Sequence, residues 1–151
     1  MKKILANNYL LLLLRLFLGF VFLYAAVEKI SDPESFARAV NNYKLLPLFS
    51  INVFATVLPW IELIAGLLLI FGIVVKENSF IISALLAVFI IVIIISLFRG
   101  LDINCGCFGT VGGTKIGIQK IIENIFLILI GLHLVYHGGG NFSLQYFTEN
   151  K

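Results

Sequence analysis

Long apolar runs that contain almost no charge make up most of this chain. The run from Ser79 to Phe98 has no charged residue, and the run from Ile51 to Val75 has Glu62 as its only one. At a rise of about 1.5 Å per residue, about 20 such residues cross the ~30 Å hydrocarbon core of a bilayer as a helix. Because backbone polar groups inside lipid must be satisfied within the segment, each run predicts a membrane-spanning helix.

Two more runs complete a set of four spans. The first follows Lys2 and Lys3 and is longer than the roughly 7–15 apolar residues of a secretory signal core, which indicates an uncleaved span. The last begins with polar residues and continues as an almost wholly apolar stretch from Ile125 to Tyr136. Continuous runs, rather than alternating ones of about ten residues, exclude a membrane β-barrel. The predicted spans cover about residues 9–30, 51–75, 79–98 and 116–136.

The composition agrees with one transmembrane domain over residues 1–151. Hydrophobic residues make up 60% of the chain and charged residues 13%, with a mean hydropathy of +1.06, which excludes a water-soluble globule. The 11 basic residues are scattered, so no cluster predicts nucleic-acid binding. The expected surroundings are the lipid bilayer.

Two connecting segments differ from the spans. Residues 31–47 combine two candidate caps, Ser31 and Asp32, with a proline suited to a first helical turn and apolar residues at helical spacing, which predicts a short helix at the membrane surface. Residues 99–115 hold both cysteines and several glycines. This composition predicts a loop in which some residues adopt backbone angles that only glycine takes without strain. The polar turn Lys76-Glu77-Asn78 joins spans two and three. The expected fold class is therefore all-α, a four-transmembrane-helix bundle with a short interfacial helix between spans 1 and 2.

The distribution of basic residues bears on orientation. With four spans, the termini and the turn at Lys76 share one side of the membrane, and the surface helix and the cysteine loop share the other. Four basic residues fall on the terminal side and six on the cysteine side. The positive-inside rule, taken at face value, places the cysteines in the cytoplasm.

Cys105 and Cys107 carry the strongest chemical signal in the chain. Two thiols one residue apart close only a small, strained ring, and a strained disulfide is more oxidising and exchanges faster. A redox pair is the favoured interpretation. The alternatives are two reduced cysteines that fill apolar space, or a shared metal site for which His133 and His137 lie too far away. Thiol reactivity also follows local positive charge, which Arg99, Lys115 and Lys120 would supply.

Ionisable residues inside the spans form a second candidate site. An isolated carboxylate at the depth of Glu62 costs several kcal/mol, so this side chain must be paired, protonated or facing a polar cavity. A structural ion pair with Arg15, expected at a similar depth, is one interpretation, and a role in proton handling is the other. The residues considered for proton handling or for a polar pocket under the loop are Glu62, Lys29, Arg15, Asn124 and Arg99.

Helical spacing places several of these side chains on shared faces. Arg15 and Lys29 lie on one face of the first span with Gly19, and Glu62 shares a face of the second span with Gly66. The small residues predict close helix contacts, so the polar groups are expected in the bundle interior.

A flat electron acceptor such as a quinone would need an aromatic wall and a hydrogen-bond donor. Trp60 and Asn124 are the residues considered for such a cofactor site. The alternative for Trp60 is an anchor in the aromatic belt at the membrane surface. No metal site is expected, because nothing else in the sequence supports the His133 and His137 pair.

Four segments, taken in order, resemble a known family. They read LRLFLGFVFLYAAVEKI, FARAVNNYKLLP, LPWIELIAGLLLIFG and FRGLDINCGCFG, and together they cover about Leu14 to Asn124. They resemble the MauE branch of the DoxX-like membrane proteins, with CGCFG as the most specific piece. The resemblance implies a four-helix protein of the bacterial inner membrane that helps to mature a disulfide-containing periplasmic enzyme, alongside a thioredoxin-like partner. It also implies that the cysteine loop faces the periplasm, against the charge count.

The function expected is therefore that of a thiol–disulfide oxidoreductase. Cys105 and Cys107 would exchange electrons with a periplasmic thioredoxin-fold partner, with quinone as the candidate membrane carrier and Glu62, Lys29 or Asn124 handling protons. Two alternatives stay open at this point: a non-catalytic membrane scaffold or assembly factor, and a subunit of a quinone-linked oxidoreductase.

Overall fold

The described part of the chain is a bundle of α-helices. The computed structural model describes residues 7–44, 47–100 and 118–138. Four of the helices in these ranges are long and apolar enough to cross a membrane, and a short one lies between the first two spans, so the predicted fold class is confirmed. The helices are α1 (Asn8–Ser31), α2 (Pro33–Asn42), α3 (Leu48–Phe71), α4 (Val75–Phe98) and α5 (Ile118–His137).

The turn between α3 and α4 lies earlier than predicted. Gly72 ends α3 in the left-handed conformation (φ 72°), and its N–H donates to the carbonyls of the last turn. Residues 76–78, predicted as the turn, form part of the first turns of α4, where Glu77 complements the exposed helix N–H groups. The prediction was wrong because the apolar run continues through the turn, so polar residues do not mark it. Gly72 adopts a positive φ without strain, and Val74 in the same turn also has one, of 48°.

Glycines bring the spans together in two close pairs. α1 packs most extensively on α3, and α4 on α5. A Cβ on Gly66 would lie 3.1 Å from the carbonyl oxygen of Gly19 and 3.2 Å from the backbone nitrogen of Leu23. In the second pair, Gly131 of α5 lies directly against Ser83 of α4. Small residues at such contacts allow the backbones of membrane helices to approach closely, as the sequence predicted.

The short helix α2 is attached directly to the end of α1. Asp32 caps it, since its carboxylate accepts a hydrogen bond from the backbone N–H of Ser35 at 3.0 Å. Hydrogen bonding to the Ser35 side chain, and then this backbone bond, lower the pKa of Asp32. Phe36 points inward, is only 1% exposed and packs against Ala55 and Leu58 of α3. The helix therefore lies across the end of the bundle with its apolar face toward the spans.

Candidate functional site

A buried ion pair joins α1 to α3. The Nζ of Lys29 lies 2.6 Å from Oε1 and 2.7 Å from Oε2 of Glu62, so one ammonium group donates to both carboxylate oxygens. The two side chains are 1% and 2% exposed. Charges removed this fully from water persist only when they are paired with good geometry.

The direction of the two helices explains why these side chains meet. In an α-helix the Cα–Cβ bonds tilt toward the N-terminus. α1 and α3 run antiparallel, so the side chain of Lys29 leans toward the membrane interior and that of Glu62 leans toward the end where α1 finishes. The contact of Gly19 with Gly66 sets the register, and the two side chains converge from opposite directions.

Two aromatic rings enclose the ammonium group. The Nζ of Lys29 lies 5.2 Å from the ring centroid of Phe36 in α2 and 5.3 Å from that of Phe89 in α4. Each ring offers its negative face to the cation, an attraction that strengthens when water is absent. Four helices thus contribute to one site, which we call the Lys29–Glu62 site. Phe89 was missed because it lies in a uniformly apolar run, where no periodicity distinguishes one face from another.

The predicted pair between Arg15 and Glu62 is not formed. Gly19 and Gly66 lie at the same depth in the bundle. Arg15 lies about one turn from that depth toward the start of α1, and Glu62 lies about one turn from it in the opposite direction. The two residues are therefore about 12 Å apart along the bundle axis. Their side chains also lean in opposite directions. Arg15 is nevertheless buried, at 3% exposure, on the interior face predicted for it. The two residues differ in depth because the register of the two helices, which the sequence does not indicate, offsets them.

The residues considered for a quinone site are not brought together. Asn124 is completely buried in α5, where its side-chain amide donates to the carbonyl of Lys120 at 2.7 Å. Trp60 is 52% exposed on the outer face of α3, as expected for an aromatic anchor. His133 and His137 stack near the other end of α5, with ring centroids 4.3 Å apart.

Arg99 links the ends of α2 and α4 and lies outside the Lys29–Glu62 site. Its Nη1 donates to the carbonyl oxygen of Tyr43 at 3.2 Å and lies 3.5 Å from that of Lys44. These carbonyls follow the last turn of α2, where helices leave acceptors without an intrahelical donor. The bond places the end of α4, from which the cysteine segment continues, beside the surface helix.

Burial of Tyr43 beside this link gives a prediction for alkaline pH. The phenol is 5% exposed, and burial raises its pKa to about 12. The unfolded chain releases this proton near pH 10, so the stabilisation is complete below pH 10 and is lost as the pH rises toward 12. Between pH 9 and pH 11.5, we expect the free energy of unfolding of the wild-type protein to fall by about 2 kcal/mol more than that of Tyr43→Phe. Unfolding curves of both proteins at the two pH values measure this difference. Equal losses in both proteins would contradict the prediction, and Tyr9→Phe, at a residue that is 71% exposed, is the control.

Cys105 and Cys107 lie outside the described residues. The segment that carries them continues from Arg99, next to α2, and leads into α5 at Ile118. The chain therefore enters and leaves this segment at the end of the bundle where α2 covers the Lys29–Glu62 site.

The whole helical region matches one protein family. The family model described as "Methylamine utilisation protein MauE" matches residues 7–137. The chain belongs to the MauE family. It is 30% identical over 133 residues to the methylamine utilization protein MauE of Paracoccus denitrificans, covering 87% of this chain and 72% of that protein. The protein of the same name from Methylorubrum extorquens is 33% identical over 134 residues, covering 88% and 72% of the two chains.

A longer relative has a different name. The chain is 29% identical over 146 residues to Protein TlpB of Flavobacterium psychrophilum, covering 90% of this chain but only 39% of TlpB. The MauE-like region is thus also found within a much larger protein. No solved structure is significantly similar to the chain.

Proposed function

We propose that this MauE-family protein is a thiol–disulfide redox protein of the bacterial inner membrane. Cys105 and Cys107 alternate between a dithiol and a disulfide by exchange with a thioredoxin-fold partner in the periplasm. A membrane quinone exchanges electrons with the pair, and the protein supports the maturation of a disulfide-containing client. The relatives are named for methylamine utilization, but no residue of this chain specifies which client it serves.

The observation that carries the proposal is the buried Lys29–Glu62 site. A buried ion pair contributes little net stability compared with apolar residues of similar volume, so stability alone does not explain why these two residues are present. Ionisable groups inside membrane spans are functional by default. Oxidation of the dithiol by a quinone moves two electrons and two protons from the thiols to the quinone. The Glu62 carboxylate, at the same end of the bundle, can accept one proton at a time and release it again, while the Lys29 ammonium balances its charge.

The proposed orientation follows from compartment chemistry and from the ion pair. Disulfide exchange belongs in an oxidising compartment, which favours a periplasmic cysteine segment. The charge count favours the opposite side with six basic residues against four, but Lys29 is paired inside the bundle and leaves five. A difference of one residue gives the positive-inside rule little force.

The experiment that tests the proposal follows the thiols in native membranes. Membranes are acid-quenched, alkylated with a mass-tagged maleimide and compared before and after addition of dithiothreitol and then of a soluble quinone. We expect Cys105 and Cys107 to gain two tags on reduction and to lose both with quinone. Variants with serine at either cysteine should hold one tag throughout and fail to support the client. Thiols that stay free, or full client maturation with both cysteines replaced, would overturn the proposal and favour a non-catalytic scaffold.

A further inference from the structure

The Lys29–Glu62 site is closed toward the membrane surface by α2. Phe36 covers the ammonium group and is itself 1% exposed. On α3, Ala55 and Leu58 lie between the surface and Glu62, and both pack against Phe36. Among the described residues, Phe36 blocks the direct route between this site and the surface on the α2 side, and that route opens when α2 moves away from α3.

The two ends of α2 differ in how they are held. At its start, Asp32 is the single non-helical residue between α1 and α2, with φ −136° and ψ 72°, so one pair of dihedral angles sets the direction of the helix. At its end, Arg99 of α4 donates to the carbonyl of Tyr43. The connection of α2 to α1 is covalent and short, whereas its connection to α4 includes a hydrogen bond that a side chain can make or release.

The other arginine near α2 makes a different set of contacts. Arg38 lies on the outer face of α2 and is 63% exposed. Its guanidinium bonds to Glu34 at 2.9 Å and to the hydroxyl of Ser35 at 2.8 Å, both within α2. Arg38 therefore stabilises the helix itself, and Arg99 fixes its position on the bundle.

We infer that α2 is a hinged cover over the Lys29–Glu62 site and that Arg99 is the positioning residue that holds it closed. The cover turns about Asp32 and opens a path past Ala55 to Glu62 when the bond from Arg99 to Tyr43 is released. This inference deepens the proposed function, because it assigns control of proton access to the same site. Arg99 stands six positions before Cys105 in the chain, so the residue that holds α2 in place is close in sequence to the proposed redox pair.

The test measures access beneath the cover in a protein without its native thiols. Ala55→Cys is introduced into a Cys105→Ser, Cys107→Ser background, and a membrane-impermeant maleimide labels the protein in nanodiscs. Ala55 is 3% exposed, so slow labelling is expected with the cover closed. Arg99→Gln removes the charged donor and should raise the labelling rate about tenfold. Arg38→Gln, the matched change on α2 itself, should leave the rate unchanged.

A second reporter separates opening of the cover from unfolding. Ala65→Cys, equally buried at 3% and packed in the core between α1 and α3, should stay protected in the Arg99→Gln protein. Arg99→Lys retains a charged donor and should restore part of the protection at residue 55. Equal labelling rates in the two glutamine variants, or parallel exposure of residues 55 and 65, would overturn the inference. Because the native cysteines are absent, either result is independent of whether the redox proposal holds.

Discussion

Glu62→Gln is expected to lower the free energy of unfolding by about 3–5 kcal/mol, because it leaves the ammonium of Lys29 buried without its counter-charge. The amide can accept one hydrogen bond from Nζ, but it cannot neutralise the charge. We expect the same order of loss for Lys29→Gln, which leaves the carboxylate uncompensated in an equally closed site. Unfolding in mixed micelles with increasing dodecyl sulfate measures both variants. Glu34→Gln is the matched control, since it breaks an ion pair whose partners are 63% and 81% exposed and should change stability by less than about 1 kcal/mol.

The double variant Lys29→Gln, Glu62→Gln separates stability from function. With both charges removed, the two amides can hydrogen-bond to each other, and we expect most of the lost stability to return. If the pair handles protons, the double variant should still fail to cycle Cys105 and Cys107 at the normal rate. A double variant that recovers both stability and thiol cycling would show that the pair is structural.

Gly66→Leu is the second change for which we expect a large effect. The Cβ alone would lie 3.1 Å from the carbonyl oxygen of Gly19, and the remaining atoms have no space unless α1 and α3 separate. We expect a loss of about 3 kcal/mol or more in the same unfolding measurement. Gly66→Ala should cost less, since the neighbouring backbone has to give by only a few tenths of an ångström.

The same substitution should also disturb the Lys29–Glu62 site. The contact between Gly19 and Gly66 sets the relative depth of the two charged side chains, so separation of the helices lengthens the ion pair. Ala84→Leu is the size-matched control, because Ala84 is exposed on α4, where leucine would meet lipid. Equal stability of the leucine variants at positions 66 and 84 would mean that the close approach of α1 and α3 does not hold the bundle together.

The spans were predictable because their signal is local. A run of apolar residues indicates a membrane helix whatever its neighbours are. The small residues and Glu62 also indicated which face of a span points into the bundle. The pairing within the bundle was not predictable in the same way. It depends on which residues of α1 and α3 are level, and this register is a property of two surfaces that fit together. For that reason an ion pair with Arg15 was one of the two interpretations of Glu62, although Lys29 is the residue that its side chain reaches.

Other contacts of the site carry no sequence signal. Phe89 stands among apolar neighbours in a helix whose faces are almost equally apolar, so nothing distinguishes it before the helices are packed. The prediction that Arg99 supplies positive charge near the thiols concerns residues outside the described ranges and stays a prediction. Within the described residues its guanidinium bonds backbone carbonyls that lie 55 and 56 positions earlier in the chain. Backbone acceptors are present at every residue, so a sequence cannot indicate which of them an arginine will choose.

The positions of Lys29 and Glu62 in their helices affect how the protein enters the membrane during synthesis. Lys29 lies two residues before the end of α1, so its long side chain can reach the lipid headgroups while α1 is alone in the bilayer. Glu62 lies in the middle of α3 and has a short side chain that cannot reach them. The insertion of α3 therefore depends on a partner for Glu62 that is already in the membrane. The order of synthesis provides this partner, because α1 leaves the ribosome before α3.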